Sequence, residues 1–425
     1  MRKTGLAAAL FLAAALLSAA PASGGNPPLE MQPARVLEPS PRANYHPFVL
    51  VHGFLGFSAG GPAGLNYWGG RIDLAERLRA RGYEAYAVAV GPVSSNWDRA
   101  CELFAAIRGG RVDYGAAHSR IAGHERYGRT YDGVLPAWGE TSRVHLVGHS
   151  MGGVTSRLLV QLLAEGDAAE IAATPPEELS PLFAGGHAGE RAWVRSVTSL
   201  ASPHDGTPVV YSVDTAGRAV RRLTALAYFQ AARQRGMLRL DLHLEAWGLT
   251  PEPGESLARY RRRFVDAEGW WRSRDSGMWD CSPLGARELN LKVAARPDVY
   301  YFSWATEQTA RDPFSGHQVP EPGMSCYTYS LGAFIGANGR DPTWWPNDGI
   351  VSTCSMDGPT LGSADRIGAF TGEPRAGEWN FMGLLPSFDH LDLIGFPRAR
   401  ARPPGYDSLP DFYLAIAGQL AGLPE

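Results

Sequence analysis

Lysine is almost missing from this chain: it occurs only at Lys3 and Lys292, and every other basic residue is arginine. That bias belongs to genome or stability and carries no mechanism. Basic charge is not in excess either. The 40 lysines and arginines face 43 acids, for a net charge of −3, which argues against the basic stripe that nucleic-acid binding normally requires. Beyond residue 22 no apolar run approaches the ~20 residues of a spanning helix, so no transmembrane segment is expected in the mature chain. Internal repeats are absent. Cysteine is limited to four, Cys101, Cys281, Cys326 and Cys354. These allow three complete pairings, among which sequence does not choose, and Cys101 in its helical stretch reads equally as a buried free thiol.

What remains is an ordinary globular composition, 44% hydrophobic and 20% charged over 425 residues, enough for a large buried core. Residues 1–22 read as a secretory signal: Arg2 and Lys3, an apolar stretch over 6–17, and Ala20-Pro21-Ala22 as a cleavage site. Secretion is the expected localisation. Residues 23–44, rich in proline, glycine and serine, read as a disordered linker, and the fold is expected over 45–425. Short apolar runs at 48–51, 85–90, 144–147, 194–200 and 299–304 alternate with helical patterns such as 72–81 and 154–163. That alternation predicts an α/β fold, a mostly parallel sheet with helices on both faces. Residues 94–140 and 207–285 break the alternation and read as insertions.

The apolar run at 144–147 ends in Gly148-His149-Ser150-Met151-Gly152, and a helical pattern (Val154, Leu158, Leu159, Leu162, Leu163) follows at once. A serine at a sharp strand-to-helix turn stands clear of the sheet and is reachable by a substrate carbonyl, while the flanking glycines avoid collisions with neighbouring backbone. The helix start after Ser150 points its partial positive end at the place where an oxyanion would form. The bland alternative, a serine that merely caps a helix, leaves this context unexplained.

A serine nucleophile needs a base and an acid that orients it, here in the order serine, acid, histidine. After Ser150 the histidines are His187, His204, His243, His317 and His390, and only His390 lies late, in a loop ahead of the final helical stretch. The candidate acid is Asp348 in Asn347-Asp348-Gly349-Ile350-Val351, a turn beside a strand, with Asp357 and Asp389 as alternatives. By themselves these residues fit a plain Asn-Asp-Gly turn and a surface histidine equally well. The oxyanion hole needs two aligned N–H groups, expected from Met151 and, in the His52-Gly53-Phe54 loop, from Phe54.

These segments, with Tyr67-Trp68-Gly69-Gly70, the stretch 90–102, the stretch 112–118, Gly128-Arg129-Thr130-Tyr131, Ser202-Pro203-His204-Asp205-Gly206-Thr207 and 347–351, resemble the thermostable, zinc-containing secreted bacterial triacylglycerol lipases of the α/β-hydrolase fold. The resemblance runs from about 46 to 420. It implies the triad Ser150, Asp348 and His390, with Phe54 and Met151 at the oxyanion hole. It implies a structural zinc in the 94–140 insertion, held by Asp98, His118 and His124, with Glu245 before Ala246-Trp247-Gly248-Leu249 where the family has aspartate. Ser95-x-x-Asp98 also reads as a helix capping box. A calcium site is implied more weakly at Gly323 and Asp392, because a further carboxylate is missing around Phe396-Pro397.

The expected chemistry is hydrolysis of acylglycerol esters at a lipid–water interface through an acyl-enzyme. A helical lid is expected over 207–236, with Val209, Val210, Val213, Val220, Leu223, Leu226 and Phe229 facing the acyl pocket opposite Arg218, Arg221 and Arg222; an amphipathic core helix has the same periodicity. A carboxylesterase for short soluble esters is the nearest alternative. A zinc-dependent hydrolase built on Asp98, His118 and His124 would leave the serine elbow without a purpose.

Overall fold

The computed structural model describes residues 31–38, 40–57, 64–211, 241–339, 341–396 and 402–425. The leader at 1–22, much of the linker, and the lid positions beyond Tyr211 lie outside the described residues.

Among the described residues there are eleven strands: β1 (Phe48–Val51), β2 (Ala85–Val88), β3 (Gly110–Asp113), β4 (Tyr127–Tyr131), β5 (Val144–His149), β6 (Val194–Leu200), β7 (Tyr300–Glu307), β8 (Thr309–Arg311), β9 (Gln318–Pro320), β10 (Ile367–Ala369) and β11 (Trp379–Pro386). Seven form one sheet in the order β10-β11-β7-β6-β5-β1-β2, with every pairing parallel. The others make two antiparallel ribbons, β3 with β4 and β8 with β9.

The apolar runs are buried on both faces because helices cover both. Along β1, Phe48 and Leu50 join one core while Val49 and Val51 join the other, as the two-residue period of a strand dictates. The first core is closed by helix α1 (Leu74–Arg79), which starts at the Asp73 cap, and by the C-terminal helix Leu409–Ala421, through Leu74, Leu78, Phe412, Ile416 and Leu420. The second is closed by α2 (Asn96–Arg108) and α4 (Met151–Glu165), with α3 (Ala116–Ala122) between them in the chain; Leu103, Ile107, Leu158, Leu159 and Leu162 contribute. Helix α2 therefore packs against the sheet core instead of standing wholly within a separate insertion. A smaller cluster of Leu242, Leu244, Leu249, Tyr260, Phe264 and Trp270 organises the described part of the 207–285 insertion around Val93.

One local expectation changes. The Asn347-Asp348-Gly349 turn leads neither out of nor into a strand; it is closed by a bridge from Asn347 to Ser352, a short 3-10 turn follows at Thr353–Ser355, and the Asn347 N–H donates to Thr309 Oγ1 of β8. All four cysteines are free thiols, with Cys101 buried on α2. Among the described residues no helix is long and apolar enough to cross a membrane.

Candidate active site and metal centre

Ser150 sits between the end of β5 and the start of α4 with φ 56° and ψ −132°, left-handed backbone that a serine adopts only where the surroundings enforce it. The glycines enforce it. A Cβ on Gly152 would strike the carbonyls of Val51 and His52, and one on Gly148 would strike the backbone of Gly152 and Gly153. The Ser150 N–H donates to the Leu200 carbonyl on β6 at 2.8 Å, which anchors the turn to the sheet.

The loop after β1 lies directly over this turn: a Cβ on Gly53 would come within 2.6 Å of Ser150 Cβ. Its N–H groups on either side of Phe54 are satisfied, Gly53 by Tyr67 Oη at 2.9 Å and Leu55 by the Pro92 carbonyl at 2.7 Å. Buried Arg99 holds the same loop, donating to the carbonyls of His52 and Gly91 and to Thr155 Oγ1. His52 accepts from the Val90 N–H and donates to the Gly53 carbonyl; burial, with Arg99 adding, lowers its pKa to about 3, so it is neutral. Met151 is the first residue of α4, so its N–H belongs to the helix end that has no intrahelical acceptor.

His390 follows β11 in the loop after Pro386, and its Nδ1 lies 2.7 Å from Asp348 Oδ2. Its backbone N–H also donates to the Asp348 carbonyl at 2.9 Å. The Asp348 carboxylate is fully buried and held by three other donors: Thr306 Oγ1 on Oδ2, and the Ile350 and Val351 N–H groups on Oδ1. Of the alternative acids, Asp389 turns its carboxylate to the N–H groups of Ser325, Leu391 and Asp392. Asp357 is buried, its backbone carbonyl accepting from Ser303 Oγ, and it is Asp348 that pairs with His390. Other histidines serve the scaffold: His204 pairs with Ser199 Oγ and His243 with Glu102.

A second constellation joins the two insertions. Asp98, His118, His124 and Asp275 each turn one donor atom inward, all within 4.8 Å of one another. Asp98 Oδ1, His118 Nε2, His124 Nε2 and Asp275 Oδ2 are buried without a hydrogen bond, and His118 Nε2 stands 3.3 Å from an oxygen of each aspartate. Four inward lone pairs, two of them on carboxylates, suit a divalent cation. The His124 Nδ1–H donates to the Glu125 carbonyl, which leaves Nε2 as the ligating atom. Only the serine half of the capping box forms: Ser95 Oγ accepts from the Asp98 N–H, while the Asp98 carboxylate faces the cluster. Burial and the Asp275 charge push the Asp98 pKa up to about 6. Burial opposes the His118 cation, yet the adjacent Asp275 and Asp98 carboxylates raise its pKa to about 10.

Glu245 is not in this group, which corrects the expected fourth ligand. The turn at Leu244–Gly248 sends Trp247 onto the His124 ring at 5.1 Å and Glu245 the other way, into an ion pair with Arg129. Asp275 takes its place from the Trp-rich stretch, and nothing in that local sequence marks it as a ligand. The calcium expectation gains no support from the described residues. Gly323 abuts the Gln308 amide and the Asp392 carboxylate caps the Asp389 N–H, with burial and Asp389 raising its pKa to about 7. Among the described residues no group of carboxylates or imidazoles gathers around them.

A family model described as lipase-like, C-terminal domain, matches residues 44–422. The lipase of Staphylococcus hyicus is 37% identical over 403 residues, 94% of this chain and 61% of that protein. Lipase 2 of Staphylococcus aureus is 36% identical over 384 residues, 89% of this chain and 54% of that protein. The chain thus spans between half and two thirds of the length of these relatives. Among solved structures, EstA from Clostridium botulinum superposes with a TM-score of 0.83 at 39% identity, covering 93% of each chain. Lipase 1 from Pelosinus fermentans gives 0.76 at 43% identity, covering 90% of this chain and all of that one. With a parallel α/β sheet, a serine elbow and a match over nearly its whole length, this chain belongs to the family of lipase-like C-terminal domains.

Proposed function

We propose that the protein is a secreted serine ester hydrolase, a lipase that cleaves acylglycerol esters through an acyl-enzyme on Ser150. The observation that carries this reading is the 2.7 Å pairing of His390 Nδ1 with Asp348, close to the elbow that carries Ser150. With Nδ1–H given to Asp348, His390 Nε2 is the basic nitrogen that takes the Ser150 proton as the hydroxyl attacks the ester carbonyl. The N–H groups of Phe54 and Met151 stabilise the tetrahedral oxyanion. His390 then protonates the leaving alcohol, and water repeats the sequence on the acyl-enzyme. The names of the relatives support the ester substrate.

The four-residue cluster is read as a structural zinc site. Its two imidazoles and two carboxylates would supply four donors, the number a structural zinc ion takes. Zinc would tie the start of α2 to the 207–285 insertion, and no step of hydrolysis passes through it.

Replacing Ser150 by alanine is expected to leave a folded protein with nearly all turnover of p-nitrophenyl esters lost, and an organophosphonate should label the native chain at Ser150. Substantial turnover by the folded alanine variant overturns the reading. Rates on emulsified triglyceride no greater than on dissolved short-chain esters would make the enzyme a carboxylesterase and remove the lid.

A further inference from the structure

We propose that His149, the residue before the candidate nucleophile, is a positioning residue that couples the base to the oxyanion loop through a chain of hydrogen bonds running to Tyr67. The inference rests on the roles assigned above to Ser150, His390 and Asp348, and goes beyond them.

The chain has one consistent polarity. The Gly53 N–H donates to Tyr67 Oη at 2.9 Å, so the single phenolic proton is free for the 2.7 Å contact with His149 Nδ1. Nδ1 therefore accepts, and the imidazole proton sits on Nε2, which donates to the His390 carbonyl at 2.9 Å. The opposite tautomer would set a bare nitrogen against a carbonyl oxygen. Complete burial and the neighbouring His390 disfavour the imidazolium, so His149 stays neutral.

The two ends of this chain are the parts that ester hydrolysis must hold in register. At one end His390 is fixed at both backbone poles: its N–H on the Asp348 carbonyl at 2.9 Å and its C=O on His149, with the two imidazole rings 4.6 Å apart. At the other end Gly53 is the residue before Phe54, whose N–H is assigned to the oxyanion. A buried ring with an acceptor on one side and a donor on the other spans that gap, which aliphatic packing alone would leave without directional restraint. Displacing a reacting group by about 1 Å costs about 10²-fold in rate.

The test compares His149→Phe, His149→Gln, Tyr67→Phe and the double variant Tyr67→Phe/His149→Phe, each checked by circular dichroism and thermal melting. Glutamine carries an N–H at the reach of Nε2 and a carbonyl that can accept from Tyr67; phenylalanine keeps only the ring volume. The expected result for His149→Phe is a kcat on a p-nitrophenyl ester lowered about 10²-fold, with KM nearly unchanged. His149→Gln should recover much of that loss. Tyr67→Phe should lower kcat in the same direction, and the double variant should be little worse than His149→Phe, because both cut one chain. Wild-type kcat in folded His149→Phe or folded Tyr67→Phe overturns the proposal, as does glutamine no better than phenylalanine, or losses that multiply in the double variant. If His149→Phe does not fold, the Tyr67→Phe comparison decides alone. No ester turnover by the unmodified protein, or full turnover by Ser150→Ala, would instead fail the reading on which the inference rests.

Discussion

Asp348 and His390, 42 positions apart in the chain, are joined twice: carboxylate to imidazole at 2.7 Å and carbonyl to backbone N–H at 2.9 Å. The backbone tie holds the two loops together, so that the imidazole and the carboxylate stay within reach of each other. Because Thr306, Ile350 and Val351 also donate to that carboxylate, its orientation is set before any substrate arrives.

An Asp348→Asn substitution should therefore keep the loop geometry and spoil the tautomer. The amide retains an oxygen for the Ile350 and Val351 N–H groups but presents N–H to His390 Nδ1, forcing the proton onto Nε2. The expected loss is about 10³–10⁴-fold in kcat, with an unchanged fold by circular dichroism. Steady-state kinetics on a soluble ester checks it; a loss under tenfold would move the acid to another residue.

The metal centre separates Asp275 from Glu245. Asp275→Asn should lower bound zinc well below one ion per chain, measured by elemental analysis after dialysis, and reduce the melting temperature. Glu245→Gln should keep full zinc and lose only its pairing with Arg129, an exposed-side interaction of about 1 kcal/mol or less. Chelation of the native protein should erode heat resistance over time while leaving the initial rate on a soluble ester intact, because an ion that binds only the folded state stabilises it by mass action. Immediate loss of the initial rate on chelation would reverse the structural assignment. Acid should release the ion too, since His118 and His124 must be unprotonated to ligate.

Glu307, at the end of β7, is largely buried, and that burial raises its pKa to about 7 from the ordinary 4.5, with Glu321 adding to the rise. A carboxyl whose folded value is raised binds its proton more tightly in the native state. Its contribution to stability is complete below about pH 4.5 and is lost as pH climbs through about 7. Glu307→Gln should accordingly raise the melting temperature at pH 8, by about 2 °C or more, and change it little at pH 4. Equal shifts at both pH values would show that ionisation is not the cause.

The elbow and the mostly parallel sheet were legible in the sequence because each is encoded over neighbouring residues. Gly148, Ser150 and Gly152 specify a turn whatever lies beyond it, and the two-residue period of β1 assigns Phe48 and Val49 to opposite cores. Three members of the candidate metal cluster, Asp98, His118 and His124, were named only through the resemblance to the zinc-containing lipases. Tertiary packing alone decided that Asp275 faces those three while Glu245 turns to Arg129, that Asp348 and not Asp357 or Asp389 meets His390, that the cysteines stay unpaired, and that His149 lies between Tyr67 and the His390 carbonyl. The physical reason is range. Periodicity and turn geometry act between near neighbours and are written in residue types, whereas the partner of a carboxylate or an imidazole depends on how loops distant in the chain pack, and many loops of similar composition would serve.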